Sequence, residues 1–291
     1  MAYGFLFAML SPFFFGLMNV YDKYAVERKI KHYEGYAVMN GIACFSIAAI
    51  FAAFLDWSTL KASDLIVPMI AGLIWGGITW LYYIVLSKED ISHAIGLNYV
   101  YPIIVAFLGY LILDEKLHPI GYLGMFLTIT GAVLLSGRLR LKSRTIIGYI
   151  AALIFFTAVA EFFVKIVTNT VPLWNGLAIS GMCTGIVMAS GVFLPAIYKK
   201  TRAEMHNFHI AFMGISLYYV AASCLYFAMS ELTASLVSGL AATQPLYVVI
   251  LENLITRKVG RIAHDKEFLP KLGAVTLIVG GVVLIYLTEL F

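Results

Sequence analysis

Leu65 to Ser87 reads LIVPMIAGLIWGGITWLYYIVLS, an unbroken run free of Asp, Glu, Lys and Arg. A helix of about 20 such residues crosses the hydrocarbon core of a bilayer, and no soluble core needs so much continuous apolar surface. Similar runs stand at Ala2 to Tyr21, Gly35 to Leu55, Ile91 to Leu113 and Leu117 to Gly137, and five more occupy the second half. Composition agrees wherever the runs are cut: 62% of the 291 residues are hydrophobic and mean hydropathy is +0.91, against about 45–50% apolar in soluble domains. Ten helices of that length leave only short connections. The expected fold is therefore an all-α integral membrane protein of ten transmembrane helices whose function sits within the membrane.

Other classes lose their support in the same reading. The first run has no basic segment ahead of it and no small-residue cleavage site behind it, so it reads as a retained span. Cys44, Cys183 and Cys224 lie inside apolar runs without a C-x-x-C spacing and read as small buried hydrophobes. His32, His93, His118, His206, His209 and His264 are scattered over connections and span ends, which argues against a metal site. No H-E-x-x-H, G-x-S-x-G, Walker loop or dinucleotide fingerprint occurs, so neither an enzyme nor a cofactor is expected. The net charge of +4 is spread over the loops and bears on membrane orientation rather than on nucleic acid.

The chain also repeats itself. A shift of 143 places aligns Tyr83 with Tyr226, Ser92 with Ser235, Gly96 with Gly239 and Pro102 with Pro245. A shift of 149 then aligns Gly124 with Gly273 and Gly131 with Gly280. Apolar matches come cheaply in a membrane protein, but Pro and Gly matches held in order do not. Two five-span repeats follow, residues 1–143 and 144–291. Because five is odd, the second enters the membrane from the opposite side, and inverted repeats are the geometry of alternating access in secondary transporters.

The run Gly96-Leu97-Asn98-Tyr99-Val100-Tyr101-Pro102, followed by an apolar helix, Asp114-Glu115-Lys116-Leu117, Leu123-Gly124 and Gly131, resembles the fourth and fifth helices of EamA-type proteins of the drug/metabolite transporter (DMT) superfamily. The ten-span layout resembles theirs along the whole chain. That resemblance implies secondary transport of small metabolites such as amino acids, nucleotide derivatives, nucleosides or drugs. The chain departs from the family pattern at Arg257-Lys258, where the second copy would carry an acidic residue, and at Phe15-Gly16, where the family often has Trp-Gly.

Polar residues inside the spans mark the candidate substrate and coupling site. Glu161 sits in Ala158-Val159-Ala160-Glu161-Phe162-Phe163 near the midplane, deeper than any other carboxylate on this reading. A charge there costs about 2.5–3.5 kcal/mol on insertion scales, so it should face a cavity or a partner, which makes protons the expected coupling ion. The alternative is a structural pair with Lys165, one turn further on. A shift of 142 sets Asn19 against Glu161 and Lys23 against Lys165, placing the first and sixth helices face to face. Asn98, Tyr101 and Pro102 share a face of the fourth span, and Gln244 and Pro245 repeat them in the ninth; prolines free backbone carbonyls that are tolerated where they meet protein or a wet cavity. Trp75, Trp80, Tyr82 and Tyr218 lie away from the span ends and read as an aromatic wall suited to aromatic or cationic substrates. Gly72, Gly76, Gly77, Gly181 and Gly185 read as close-packing positions. Glu252 reads as a structural partner of nearby Arg257 and Lys258.

The reading that follows is a secondary active transporter of a small organic metabolite, proton-coupled, with membrane lipid as its surroundings and no nucleic-acid partner. The alternatives are a flippase holding a phosphorylated head group on Lys23 and Lys165, and a channel. Oligomeric state is left open by the sequence. All but three of the 20 Lys and Arg fall in odd-numbered connections, the exceptions being Lys61, Lys116 and Lys165. Positive residues favour the cytoplasmic side, so both termini of this multi-pass cell-membrane protein are expected outside.

Overall fold

A computed structural model describes residues 2–86, 98–135, 144–258 and 268–288. They form helices joined by short connections, with no strand among the described residues: α1 (Ala2–Arg28), α2 (Tyr33–Ala52), α3 (Ile66–Leu86), α4 (Tyr101–Ile112), α5 (Pro119–Leu135), α6 (Arg144–Thr170), α7 (Leu173–Ala189), α8 (Pro195–Glu204), α9 (Phe208–Glu231), α10 (Ala234–Ala241), α11 (Gln244–Lys258) and α12 (Phe268–Leu287). Large apolar side chains such as Ile50, Phe107, Phe126 and Val283 are exposed on the outer surface. That is the arrangement expected when lipid rather than water surrounds the helices.

Seven stretches among the described residues are long and apolar enough to cross a membrane, and Tyr101–Ile112, Pro119–Leu135 and Gly273–Leu287 are shorter apolar helices. The expectation of ten uniform spans is thus modified. The ninth run is two helices, α10 and α11, separated by a turn at Ala242 and Thr243. In the fourth run a turn at Tyr99 and Val100 likewise precedes α4. Pro102 and Pro245 do not kink continuous helices. Each sits second in the helix that follows the break, where its missing N–H would be unpaired in any case.

The helix α8 was not anticipated. Its sequence PAIYKKTRAE carries Lys199, Lys200 and Arg202, and it links α7 to α9; at ten residues it is too short to cross a membrane by itself. Lys200 Nζ pairs with Glu34 Oε1 at 2.5 Å. Glu204 Oε1 accepts from the backbone N–H groups of Lys31 and His32 at 2.9 and 3.1 Å. The α1–α2 and α7–α9 connections therefore meet at one end of the bundle. At the other end Asn175 Nδ2 donates to the Asp56 carbonyl at 2.9 Å. There Asp114, at φ 51°, ends α4 in the left-handed region that Asp tolerates. That turn aims Glu115 at the start of α10, where its carboxylate accepts from Ala234 N at 2.9 and 3.1 Å. An anion at a helix N-terminus satisfies otherwise unpaired N–H groups. Gly109 makes room for it, since a Cβ there would stand 3.0 Å from Glu115 Oε2.

The principal helix contacts are α5 with α12, α2 with α7, α1 with α9 and α11, and α3 with α6 and α7. Small residues set the distances. Gly72 and Gly76 bring α3 against Ser180, Thr184 and Val187 of α7, where the Ser180 and Thr184 hydroxyls donate to the Pro68 and Gly72 carbonyls at 3.0 Å. Gly185 lies against Phe45 of α2 and Gly181 against Tyr219 of α9, whereas a Cβ on Gly77 would meet nothing within 4 Å. Gly77 is therefore not a close-packing position among the described residues.

Candidate functional site

Residues from both halves enclose a central cavity of about 160 Å³. The positions singled out in the sequence converge there to a large extent: Asn19, Trp75, Tyr82, Asn98, Tyr101, Glu161, Tyr218 and Gln244 all line it. Lys23 and Lys165 are not among its lining residues. The two helix breaks explain much of the convergence. The turns at Tyr99–Val100 and Ala242–Thr243, each followed by a helix that starts beside the cavity, place Asn98, Tyr101 and Gln244 at its wall.

Glu161 is 4% exposed on α6. Its Oε1 accepts from the Tyr101 hydroxyl at 2.7 Å, while Oε2 is buried without a hydrogen-bond partner. One turn earlier, Thr157 donates to Asn98 Oδ1 at 3.5 Å, so α6 is tied to the fourth-helix break at two successive turns. Lys165 does not serve as the counter-charge of Glu161. Its ammonium donates at 2.7 Å to the carbonyls of Met229 and Leu232, where α9 ends. A cation at a helix C-terminus supplies donors that the last turn lacks. Lys23 is likewise committed elsewhere, pairing with Glu252 Oε1 of α11 at 2.9 Å. The expected pairing of Glu252 with Arg257 and Lys258 falls on side chains outside the described residues.

The claim that no other carboxylate lies as deep as Glu161 is also corrected. Asp22 is 4% exposed and lines the same cavity. It stood beside Lys23 in what looked like a helix end, but α1 continues to Arg28, leaving Asp22 well inside the helix. Its Oδ1 accepts from the Tyr36 hydroxyl at 2.8 Å, and its Oδ2 accepts from the Tyr83 hydroxyl at 3.5 Å. Tyr83 in turn accepts from Asn40 Nδ2 at 2.5 Å. One available signal was the spacing of Asn19 and Asp22, three residues apart and hence on one helical face. Another was Asn40, standing alone in an apolar run.

The cavity is acidic and aromatic. Its described lining contains Asp22 and Glu161 but no Lys, Arg or His. Phe15 and Tyr218 meet edge to face with centroids 6.0 Å apart, and Tyr82 meets Tyr83 at 5.3 Å. Trp80 does not join this wall; its indole N–H donates to the Val187 carbonyl at 3.2 Å against α7. No cluster of three His, Cys, Asp or Glu suited to a metal occurs among the described residues. An apolar pocket with a few convergent polar groups is the usual form of a small-molecule site.

Residues 2–137 match the EamA-like transporter family, which belongs to the DMT superfamily. No curated protein sequence matches the chain. A solved crystal structure of a protein is similar over 96% of this chain and 96% of its own, with a TM-score of 0.68 and 18% identity. That likeness concerns the fold alone, and it extends past residue 137 through the second half.

Proposed function

We propose, from the EamA-like membrane-transporter unit at residues 2–137, that the chain is a proton-coupled secondary transporter of a small organic solute, working by alternating access of two inverted five-helix repeats, 1–143 and 144–291. The observation that carries this reading is the cavity between the halves, with a buried carboxylate oxygen of Glu161 unpaired at its wall. The packing supports the repeat. Exchanging first-half helices for their second-half counterparts turns the α1–α9 contact into α6–α3, α1–α11 into α6–α4, and α3–α7 into α9–α2. Gly124 abuts Gly281 and Gly131 abuts Ala274; in each case a Cβ on the first would lie 2.6 Å from the carbonyl oxygen of the second. These two contacts interchange at an offset of 150, one place beyond the sequence register.

The acidic lining favours neutral or cationic aromatic solutes, through ring stacking and cation–π attraction. The flippase alternative loses its carriers, because Lys23 and Lys165 are engaged by Glu252 and by backbone carbonyls. Counterflow in proteoliposomes separates carrier from channel. Saturable flux accelerated by an opposing solute supports the transporter, and linear, non-saturable flux overturns it.

Orientation is part of the same proposal. The α1–α2 and α7–α9 connections, both odd-numbered, share one end of the bundle, and the positive-inside bias puts that end in the cytoplasm and both termini outside. In a variant lacking Cys44, Cys183 and Cys224, an impermeant thiol reagent applied to intact cells should label Ala62→Cys and not Ala203→Cys. The reverse pattern inverts the topology.

A further inference from the structure

The Asp22 end of the cavity carries a chemical preference of its own. Asn40 is 1% exposed and lines the cavity. Its amide nitrogen is committed to Tyr83, and its Oδ1 has no hydrogen-bond partner. Tyr83 has one proton, which it directs at Asp22. Tyr36 spends its own on the other oxygen of the same carboxylate. What these contacts leave unmatched at this end includes acceptor capacity: Asn40 Oδ1, buried without a partner, and Asp22 Oδ2, whose contact to Tyr83 is long at 3.5 Å. One tyrosine hydroxyl bridges the two residues, which sets them side by side at the cavity wall. The buried Tyr82 hydroxyl, also unpartnered, lies on the same cavity wall.

Buried acceptors left unpaired are costly, and a charged donor satisfies them best. A carboxylate alone would attract any cation. A neutral amide oxygen beside it asks for N–H groups. Gly214 of α9 keeps the space narrow rather than filled: it lines the cavity, and a Cβ there would lie 3.4 Å from Asp22 Oδ1 and 3.3 Å from the Tyr36 hydroxyl.

We propose that Asp22 and Asn40 form an ammonium subsite, and that the solute is a protonated primary or secondary amine with an apolar or aromatic body lying along Trp75, Tyr82 and Tyr218. At least two N–H groups on the solute nitrogen engage Asp22 Oδ2 and Asn40 Oδ1 together, leaving Glu161 at its separate tyrosine partner to carry the coupling proton. This inference rests on the transporter reading above. It distinguishes an N–H-bearing ammonium from a quaternary one, which presents methyl groups to Asn40 and leaves its oxygen unpaired.

Purified full-length protein tests it with two probes of like shape, 2-phenylethylamine and its N,N,N-trimethyl analogue, with Kd read from tryptophan fluorescence. The primary amine should bind about 10–100-fold more tightly than the quaternary compound. Asp22→Asn should weaken the primary amine at least about tenfold, and Asn40→Leu should erase the preference between the two probes. Equal or tighter binding of the quaternary probe overturns the subsite, as does an unchanged Kd in Asp22→Asn. If Asp22→Asn does not fold, the two-probe comparison on the unaltered protein decides the matter alone. Failure of both probes to bind, while proteoliposomes still show saturable counterflow of another solute, removes the amine subsite and leaves the transporter standing. Linear flux for every solute removes the transporter reading itself.

Discussion

Two carboxylates face the same cavity, and they are held in different ways. Asp22 is gripped through both oxygens by tyrosines from α2 and α3, one of which is itself anchored by Asn40. Glu161 has one tyrosine on one oxygen and nothing on the other. A group with fixed partners on several helices suits recognition, because its geometry is pre-organised. A group with a single partner suits a role that changes state, because little has to be broken when it gains or loses a proton. The proposed division of labour between the two acids rests on how many hydrogen bonds each already makes.

That contrast breaks most visibly in stability. Asp22→Ala strips the acceptor from two buried tyrosine hydroxyls and should cost about 2–4 kcal/mol, against about 1–2 kcal/mol for Glu161→Ala, which strands only Tyr101. Thermal unfolding in detergent compares them. A larger loss at Glu161 than at Asp22 would reverse the assignment of the rigid and the adaptable acid.

Next in size is Lys165→Met, which removes both donors from the end of α9 and should cost about 1–3 kcal/mol. Lys165 and Glu161 share no partner, so the losses from Lys165→Met and Glu161→Ala should add to within about 0.5 kcal/mol in the double variant. Rescue of one change by the other would restore the direct Glu161–Lys165 pair that the contacts here replace.

The smallest effect falls on the wall between the acids. Trp75→Ala should weaken binding of an aromatic probe about 3–10-fold, the scale of one aromatic contact. Its melting temperature should stay near that of the unaltered protein. Unchanged affinity with lowered stability would make Trp75 a packing residue.

The sequence disclosed Glu161 because its neighbours are uniformly apolar and a lone carboxylate there cannot be a surface residue. Asp22 escaped because Lys23 follows it and the charge pair resembles a span leaving the membrane. Only tertiary structure reveals that α1 runs on to Arg28 and that Tyr36 and Tyr83 close over the side chain. Lys165 was misread for a related reason. Its partners Met229 and Leu232 stand 64 and 67 residues away, and backbone carbonyls leave no mark in a sequence. The prolines were legible as interruptions, and Asn98, Tyr101 and Gln244 were found through them. Whether each break kinks a helix or divides it depends on the turn just before the proline, which residue identity alone does not specify. The short helix α8 leaves no clear mark because its polar sequence looks like any basic loop.

In the proposed mechanism Glu161 couples protons to movement of a solute through this cavity. The most direct test reconstitutes Glu161→Gln beside the unaltered protein and imposes a pH gradient across the vesicles. The neutral amide imitates only the protonated acid, so the variant should fold, continue to exchange solute across the membrane, and fail to accumulate it against a gradient. Accumulation by the variant at the rate and extent of the unaltered protein would contradict the account.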